Sequence, residues 1–194
     1  MPEIKDVAEY EDDGQLFLRA QGSDVKAWSA LVRRCTPLLW RIARSFRFDQ
    51  ATSADIVQSA WLALAEHGDA VRDPRAVRAW LAVTARRAAL HELRRRQRVL
   101  LGEDDVAVDR PDPGPSPAEQ AGEADRDERL WRAVQRLPAR DRMLLSLLTA
   151  TPALTYVEIA RVMDVPVGSI GPTRARCLAR LRRELEAEGI TDES

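Results

Sequence analysis

The feature that most limits the fold is a proline-rich segment in the middle of the chain. Residues 110–117 contain four prolines in eight positions. Proline lacks an amide N–H and restricts the residue before it, so this segment cannot be helical. We expect it to be extended and poorly ordered in the free chain. It separates two blocks of about 60–70 residues, a size that can fold alone if the block is helical.

Charge follows the same division. The whole chain of 194 residues is nearly neutral, with 30 basic and 31 acidic side chains. Residues 28–97 nevertheless carry a net charge of +7 and residues 127–187 of +4, whereas residues 101–126 carry −6. Of the basic residues 28 are arginines, through codon bias or because the planar guanidinium suits phosphates and base edges. Two basic blocks joined by an acidic strap are typical of two nucleic-acid-binding modules.

Composition excludes several classes of function. The two cysteines, Cys35 and Cys177, are too few for a disulfide framework or an all-cysteine zinc site. The two histidines are far apart, and the chain lacks a glycine-rich phosphate-binding motif. We therefore expect no metal, no cofactor and no enzymatic activity. The chain has neither an apolar run of about 18 residues nor a signal peptide, which predicts a cytoplasmic protein without membrane insertion.

The first block has the periodicity of helices. Apolar residues recur every three or four positions from Trp28 to Phe46 and predict a helix over 28–46. Ser53 is expected to cap a second helix. Asp73 followed by Pro74 predicts the start of a third helix, because proline is favoured at the first helical position. Strand-like alternation is absent from this block, which is therefore a small helical bundle.

The third helix is rich in arginine. Arg75, Arg78, Arg86 and Arg87 fall roughly along one stripe at helical spacing, which suits tracking of a phosphate backbone. The helix ends in Arg94-Arg95-Arg96, followed by Arg98. The alternative is a solvated helix end whose cations favour the helix dipole, but this accounts for only two or three charges. We therefore predict contact with nucleic acid.

The second block has the pattern of a helix-turn-helix. Thr155 and Glu158 form a capping box that opens one helix. Asp164 is able to adopt the left-handed backbone of the turn that ends this helix. Ser169 is expected to cap the next helix, whose arginines would enter the major groove of DNA. A plain helical hairpin with a basic face is the alternative.

The predicted fold is all-α, with an N-terminal helical bundle and a C-terminal four-helix domain that contains the helix-turn-helix. The expected boundaries are an N-terminal extension with a short helix (1–27), the helical bundle (28–98), a flexible acidic proline-rich linker (99–126), the helix-turn-helix domain (127–187) and a tail (188–194).

An ordered set of motifs across both blocks resembles the small two-domain class of bacterial extracytoplasmic-function (ECF) sigma factors. The motifs are Trp28-x-x-Leu31, Ile42-Ala43-Arg44, Ala54-Asp55-Ile56-Val57-Gln58-x-x-Trp61, Trp80-Leu81, Leu93-Arg94-Arg95, Leu137-Pro138-x-x-x-Arg142, Tyr156-Val157-Glu158-Ile159-Ala160 and Val165-Pro166-Val167-Gly168-Ser169-Ile170. The resemblance covers about residues 14–187. The chain departs from many relatives at Ser169-Ile170-Gly171-Pro172 and at Asp164, where a glycine is usual.

The resemblance implies a promoter-specificity subunit of RNA polymerase. The first domain would bind the clamp helices of the β′ subunit and melt and recognise the −10 element. The second domain would recognise the −35 element and touch the flap of the β subunit, and an anti-sigma factor is a further expected partner. The implied residues are Asp55, Ile56, Val57, Gln58 and Trp61 for core polymerase; His67, Arg72, Arg75, Arg78, Arg86, Arg87 and Arg94 for the −10 element; and Ser169, Thr173, Arg174, Arg176 and Arg180 for the −35 element.

Two other functions are less consistent with the sequence. An autonomous helix-turn-helix regulator would bind duplex DNA as a dimer and without polymerase, but the first block has no signature of a ligand pocket. A hydrolase is disfavoured, because nothing around Asp55, Glu66 and His67 arranges a nucleophile or a metal. We therefore expect a DNA-binding subunit that does no bond chemistry.

Overall fold

The computed structural model describes residues 12–100 and 123–190. Most of the predicted linker, the first eleven residues and the last four residues of the predicted tail lie outside the described residues. Within the described ranges all regular secondary structure is helical. The prediction of an all-α fold is therefore confirmed.

Eight α-helices and three short 3₁₀ turns make up the described chain. The helices are α1 (Asp13–Gln21), α2 (Val25–Arg44), α3 (Gln50–His67), α4 (Val77–Leu100), α5 (Glu123–Arg136), α6 (Ala139–Leu148), α7 (Tyr156–Met163) and α8 (Ile170–Ala187), and the 3₁₀ turns are Gly68–Ala70, Pro74–Ala76 and Val167–Ser169. We call residues 12–100, which hold α1 to α4, the N-terminal half. Residues 123–190, which hold α5 to α8, are the C-terminal half.

Aspartates begin the helices of the N-terminal half. The Asp24 carboxylate accepts hydrogen bonds from the amides at the start of α2. The Asp49 carboxylate caps α3 by accepting from the Thr52 amide at 2.6 Å. The prediction that Ser53 caps this helix is wrong, because α3 begins at Gln50 and the Ser53 side chain is fully buried. Asp49 is the cap because it lies at the position where the backbone is still extended.

The entry to α4 follows the prediction. The Asp73 carboxylate accepts from the Arg75 amide at 3.0 Å. Pro74 then opens a 3₁₀ turn that leads directly into α4. Proline fits there because its missing N–H would have no helical partner at a helix start. This turn sets the direction in which the arginine-rich helix leaves the loop.

The C-terminal half contains the predicted helix-turn-helix. Thr155 and Glu158 form the reciprocal capping box at the start of α7. Asp164 ends α7 in the left-handed conformation, with φ 57° and ψ 55°. Ala160 of α7 and Ile170 of α8 are buried together with the rest of the core. The small side chain and the apolar one allow the two helices to cross closely.

The two halves pack against each other. Helix α4 contacts α7, and helix α2 contacts α6. Buried side chains from both halves form one continuous hydrophobic cluster, which includes Leu39 and Ile42 of α2 and Leu144 and Leu147 of α6. Burial of apolar surface stabilises by about 25 cal/mol per Å². The shared cluster therefore holds the halves in one arrangement.

Candidate nucleic-acid interface

The exposed face of α4 and the loop before it carry the basic residues expected to face nucleic acid. Arg72 and Arg75 are exposed beside the 3₁₀ turn, and Arg87 and Arg94 are exposed along α4. His67 is exposed at the end of α3. Exposed guanidinium groups are free to reach phosphates, which is the contact that dominates affinity for DNA.

Arg78, which the sequence places on the same stripe, does not belong to this exposed face, and its contact with the −10 element stays a prediction. Its side chain is 5% exposed and pairs with Asp13 of α1 at 2.7 Å. It also donates to the carbonyls of Thr151, at 2.8 Å, and of Pro152 and Arg34. A guanidinium that is buried and surrounded by acceptors cannot turn to a phosphate without breaking these bonds.

Arg86 lies between these two situations. It is half-buried, and its Nε has no hydrogen-bond partner within the described residues. Burial lowers the pKa of Arg86, and the carboxylate of Asp164 on the C-terminal half partly opposes this shift. Arg86 is therefore less available to nucleic acid than its exposed neighbours.

Part of the arginine cluster at the end of α4 has a structural role. Arg95 and Arg96 both donate to the Glu92 carboxylate at 2.8–2.9 Å. The hydrogen bond from Arg95, followed by that from Arg96, lowers the pKa of Glu92. Arg96 also lies over the Phe48 ring at 5.0 Å and 3.5 Å from Asp49. The cluster thus fixes α4 to the start of α3 while Arg94 remains exposed.

Helix α3 presents only some of the residues expected to bind polymerase. Asp55 and Gln58 are exposed. Ile56 and Val57 are buried in the core, so their contact with a partner stays a prediction that the exposed surface of α3 does not support. Leu62, which the sequence argument missed, is 56% exposed on the same helix. Its spacing of four and seven residues from Gln58 and Asp55 puts it on their face of the helix, which the sequence could have indicated.

Trp61 joins helices α2 and α3. Its indole N–H donates to the Thr36 hydroxyl at 3.1 Å. Its ring meets Trp28 edge to face, with the ring centres 5.6 Å apart. Such a pair contributes about 0.5–1.5 kcal/mol beyond the area it buries. Trp61 is therefore partly a packing residue, although one part of its ring remains accessible.

The recognition helix α8 exposes Arg174 and Arg176 at its start. Arg174 donates to the Tyr156 hydroxyl of α7 at 2.9 Å, which orients it within the helix-turn-helix. Thr173 is 9% exposed and its hydroxyl accepts from Arg176, so its expected contact with a base stays a prediction that this arrangement does not support. Pro172 is exposed in the first turn of α8, where its missing N–H is not needed.

Ser169 and Arg180 also differ from the sequence expectation. Ser169 occupies the N-cap position of α8, but its hydroxyl donates back to the Pro166 carbonyl and does not cap the helix. Arg180 is exposed but paired with the buried Asp141 carboxylate at 2.6 Å. The pair ties α8 to α6, so Arg180 contributes to the fold of the C-terminal half.

A cleft of about 790 Å³ lies between the halves. One wall is formed by the loop before α4 and by α4 itself, including Arg72, Trp80 and Arg87. The other wall is the end of α7 and the turn after it, including Arg161 and Asp164. The cleft therefore brings the expected −10-binding helix and the turn of the helix-turn-helix face to face.

The described residues contain no group of three or more His, Cys, Asp or Glu side chains placed to hold a metal ion. Within the same ranges no helix is both long and apolar enough to cross a membrane. Burial raises the pKa of the Cys35 thiol to about 12 and that of Cys177 to about 11. Both cysteines are thus buried neutral thiols, as small apolar residues of the core would be.

Comparison with known proteins finds a family match within the N-terminal half. Residues 31–99 match the family Sigma-70 region 2. A relative in Xanthomonas campestris pv. campestris, described as probable RNA polymerase sigma factor RfaY, is 29% identical over 163 residues. The match covers 82% of this chain but only 40% of that relative. The chain therefore spans less than half the length of this relative.

Two solved structures share the fold. The sigma factor RpoE in complex with the anti-sigma factor NepR from Bartonella quintana superposes with a TM-score of 0.65 at 22% identity, covering 84% of this chain and 98% of that one. CnrH in complex with the cytosolic domain of CnrY gives a TM-score of 0.62 at 23% identity and covers 91% and 99%. At these identities the likeness concerns the fold.

Proposed function

We propose that the chain is a promoter-specificity subunit of RNA polymerase of the ECF class, because residues 31–99 match the family Sigma-70 region 2. It directs bacterial core polymerase to promoters and does no bond chemistry itself. Because it acts together with that polymerase, we place it in the cytoplasm. The observation that carries this proposal is the joint presence of region 2 and a helix-turn-helix with exposed arginines at the start of α8.

The exposed face of α3 is the surface we assign to core polymerase. Asp55, Gln58 and Leu62 share this face, and an apolar side chain next to polar ones is the composition expected of a protein interface. The clamp helices of β′ are the proposed partner of this face. Trp61 stabilises this face by holding α3 against α2.

Two surfaces are assigned to promoter DNA. The loop before α4 and the exposed arginines of α4 would hold the opened −10 element, where contacts to unstacked bases offset about a few kcal/mol per disrupted step. The start of α8 would read the −35 element in the major groove. The residues we retain for these roles are His67, Arg72, Arg75, Arg87 and Arg94 for the −10 element and Arg174 and Arg176 for the −35 element.

An anti-sigma factor is a proposed protein partner, and the β flap is proposed to bind the C-terminal half. Both similar structures were solved as complexes, one of them with a protein named as an anti-sigma factor. The cleft between the halves offers such a partner surfaces of both domains at once.

The function is tested by transcription in vitro with bacterial core polymerase on a genomic promoter library. We expect specific initiation only when the chain and core polymerase are both present. Initiation that requires no added chain, or specific binding of the chain alone to duplex promoters as a dimer, would contradict the proposal in favour of an autonomous regulator.

Variants localise the two activities within this assay. Asp55→Ala should weaken core binding about tenfold, because it removes an exposed interface side chain without harming the helix. Glu186→Ala, an exposed carboxylate of α8, is the control and should bind as the wild type does. Arg174→Ala with Arg176→Ala should lower initiation but leave core binding intact, whereas Arg183→Ala on the same helix should do neither.

A further inference from the structure

A second cavity, of about 190 Å³, is lined by residues of α2, α5 and α6. Each of these helices contributes side chains spaced three or four residues apart, which places them on one face of the helix. They are Trp40 and Arg44 on α2, Trp131 and Gln135 on α5, and Arg142 and Ser146 on α6. The cavity lies apart from the surfaces proposed for polymerase and DNA, which are on α3, α4 and α8 and in the loop before α4.

Three of the described residues that line this cavity are arginines, and none of them is acidic. Arg41 donates to the carbonyl and the hydroxyl of Thr149, both at 3.2 Å. Arg44 donates to the Phe48 carbonyl at 3.1 Å. Arg142 donates only to backbone carbonyls. Within residues 12–100 and 123–190, no carboxylate therefore pairs with these three guanidinium groups.

The missing counter-charge is reflected in the acidity of two of these groups. Burial lowers the pKa of Arg41, and the charge of Arg78 lowers it further. Burial, followed by the charge of Arg47, lowers the pKa of Arg142 to about 10, which still leaves it charged near neutral pH. Cations removed from water in proteins are normally paired with an acid. An anion in the cavity would supply this missing partner.

Arg41 and Arg44 also have hydrogen-bond donors to spare. The Nε of Arg41 is buried without a hydrogen-bond partner in the described ranges. The hydrogen bonds that Arg41 makes there come from Nη1, and so does the one made by Arg44. Guanidinium groups bind carboxylates through several N–H groups at once, and such charge-assisted bonds are the strong ones. The two arginines are therefore suited to hold a carboxylate.

The other walls of the cavity are apolar and aromatic. Trp40 packs against the core and is only partly buried, and Trp131 is 41% exposed. An indole packs well against another aromatic ring in offset or edge-to-face geometry, which contributes beyond the area that it buries. A cavity of about 150 Å³ is known to hold one benzene ring. The volume of about 190 Å³ therefore suits a single ring that carries one small polar group.

We propose that this cavity is a binding site for a small aromatic carboxylate, a monoanion built on one six-membered ring. Its carboxylate would lie against Arg41 and Arg44, and its ring against Trp40 and Trp131. The charge contact and the ring contact come from different residues, so each can be removed separately. The site does not depend on the proposed promoter function, because none of these four residues is assigned to polymerase or DNA.

Fluorine NMR of the full chain with para-fluorobenzoate as the probe tests the site. We expect saturable binding with a Kd of about 1 mM or below, as is reasonable for a ligand of about ten non-hydrogen atoms. Unlabelled benzoate should displace the probe. Benzamide, which has the ring but no charge, should need a concentration at least about tenfold higher. Cyclohexanecarboxylate, which has the charge but no aromatic ring, should need about three- to tenfold more than benzoate.

Variants then assign the binding to this cavity. Arg41→Gln and, separately, Arg44→Gln should each raise the Kd of the probe about tenfold, because a charge-assisted contact is lost. Trp131→Leu should reduce the difference between benzoate and cyclohexanecarboxylate. Ser146→Met should abolish binding by filling the cavity from α6. The control Arg33→Gln removes the same charge from an exposed position of α2 outside the cavity and should bind as the wild type does.

Circular dichroism checks that every variant keeps its helices. A folded wild type without saturable binding overturns the proposal. Binding that both arginine variants and the filled cavity leave unchanged places the probe elsewhere on the chain and also overturns it. Acetate that competes as well as benzoate would show a site for any small anion, which contradicts the aromatic class. Transcription in vitro is measured separately, so a failure of the promoter function is not confused with a failure of this site.

Discussion

At the scale of single residues, arginines that the sequence does not distinguish have opposite roles in the structure. Arg87 and Arg174 are exposed and able to reach DNA, whereas Arg78 and Arg142 are buried and donate to carbonyls. Helical spacing placed Arg78 on the same stripe as its exposed neighbours. Arg78 is not part of the exposed stripe because it donates to Asp13, a buried carboxylate 65 residues earlier in the chain.

The Arg78 pair gives a prediction for stability. Arg78→Met should lower the free energy of unfolding by about 3–5 kcal/mol, because it leaves Asp13 buried with less compensation. In the double variant Asp13→Asn with Arg78→Met, the loss should be smaller than the sum of the two single losses by at least about 1 kcal/mol. Urea unfolding of the four proteins measures the cycle. Losses that simply add would show that the two side chains do not depend on each other.

At the scale of elements, local signals set where helices begin and end. Thr155 with Glu158 starts α7, and Asp164 ends it in a left-handed conformation, as the sequence predicted. The start of α3 was predicted four residues too late, because both Asp49 and Ser53 are good capping residues. Only the burial of Ser53 in the core decides between them.

The turn of the helix-turn-helix gives the second prediction. A positive φ is tolerated by aspartate, costs glycine nothing and costs a β-branched residue about 1–2 kcal/mol. Asp164→Val should therefore lower the free energy of unfolding by that amount, whereas Asp164→Gly should stay within about 0.5 kcal/mol of the wild type. Thermal denaturation followed by circular dichroism compares the two variants. Equal stability of the valine and glycine variants would mean that the turn backbone is not constrained in solution.

At the scale of the whole molecule, the two halves behave as one body in the described structure. The charge pattern and the proline-rich segment predicted two modules joined by a linker, and the linker itself lies largely outside the described residues. The hydrophobic cluster nevertheless continues from α2 to α6, and α4 packs on α7. Free energy of packing is therefore shared between modules that the sequence presents as separate.

Shared packing predicts cooperative unfolding. In differential scanning calorimetry the wild type should unfold in one transition, with the calorimetric and van't Hoff enthalpies equal. Arg41 and Arg47 of the N-terminal half donate to Thr149 and to the Gln135 carbonyl of the C-terminal half. Arg41→Gln with Arg47→Gln should raise the ratio of the calorimetric to the van't Hoff enthalpy above one, because weaker contact between the halves lets each half unfold separately. The variant Arg33→Gln with Arg183→Gln should keep the single transition. Two transitions in the wild type would show that the halves are uncoupled.

The sequence alone determined the all-α fold, the capping box of α7, the helix-turn-helix and the family resemblance. These features depend on periodicity and capping, which act over a few residues and can be recognised directly from the order of residues in the chain. The tertiary structure decided which side chains are available: it buried Ile56, Val57, Arg78 and Thr173 and exposed Leu62. Availability depends on contacts such as that of Arg78 with Thr151, 73 residues away. No local pattern encodes such a contact, because it exists only after the helices have packed.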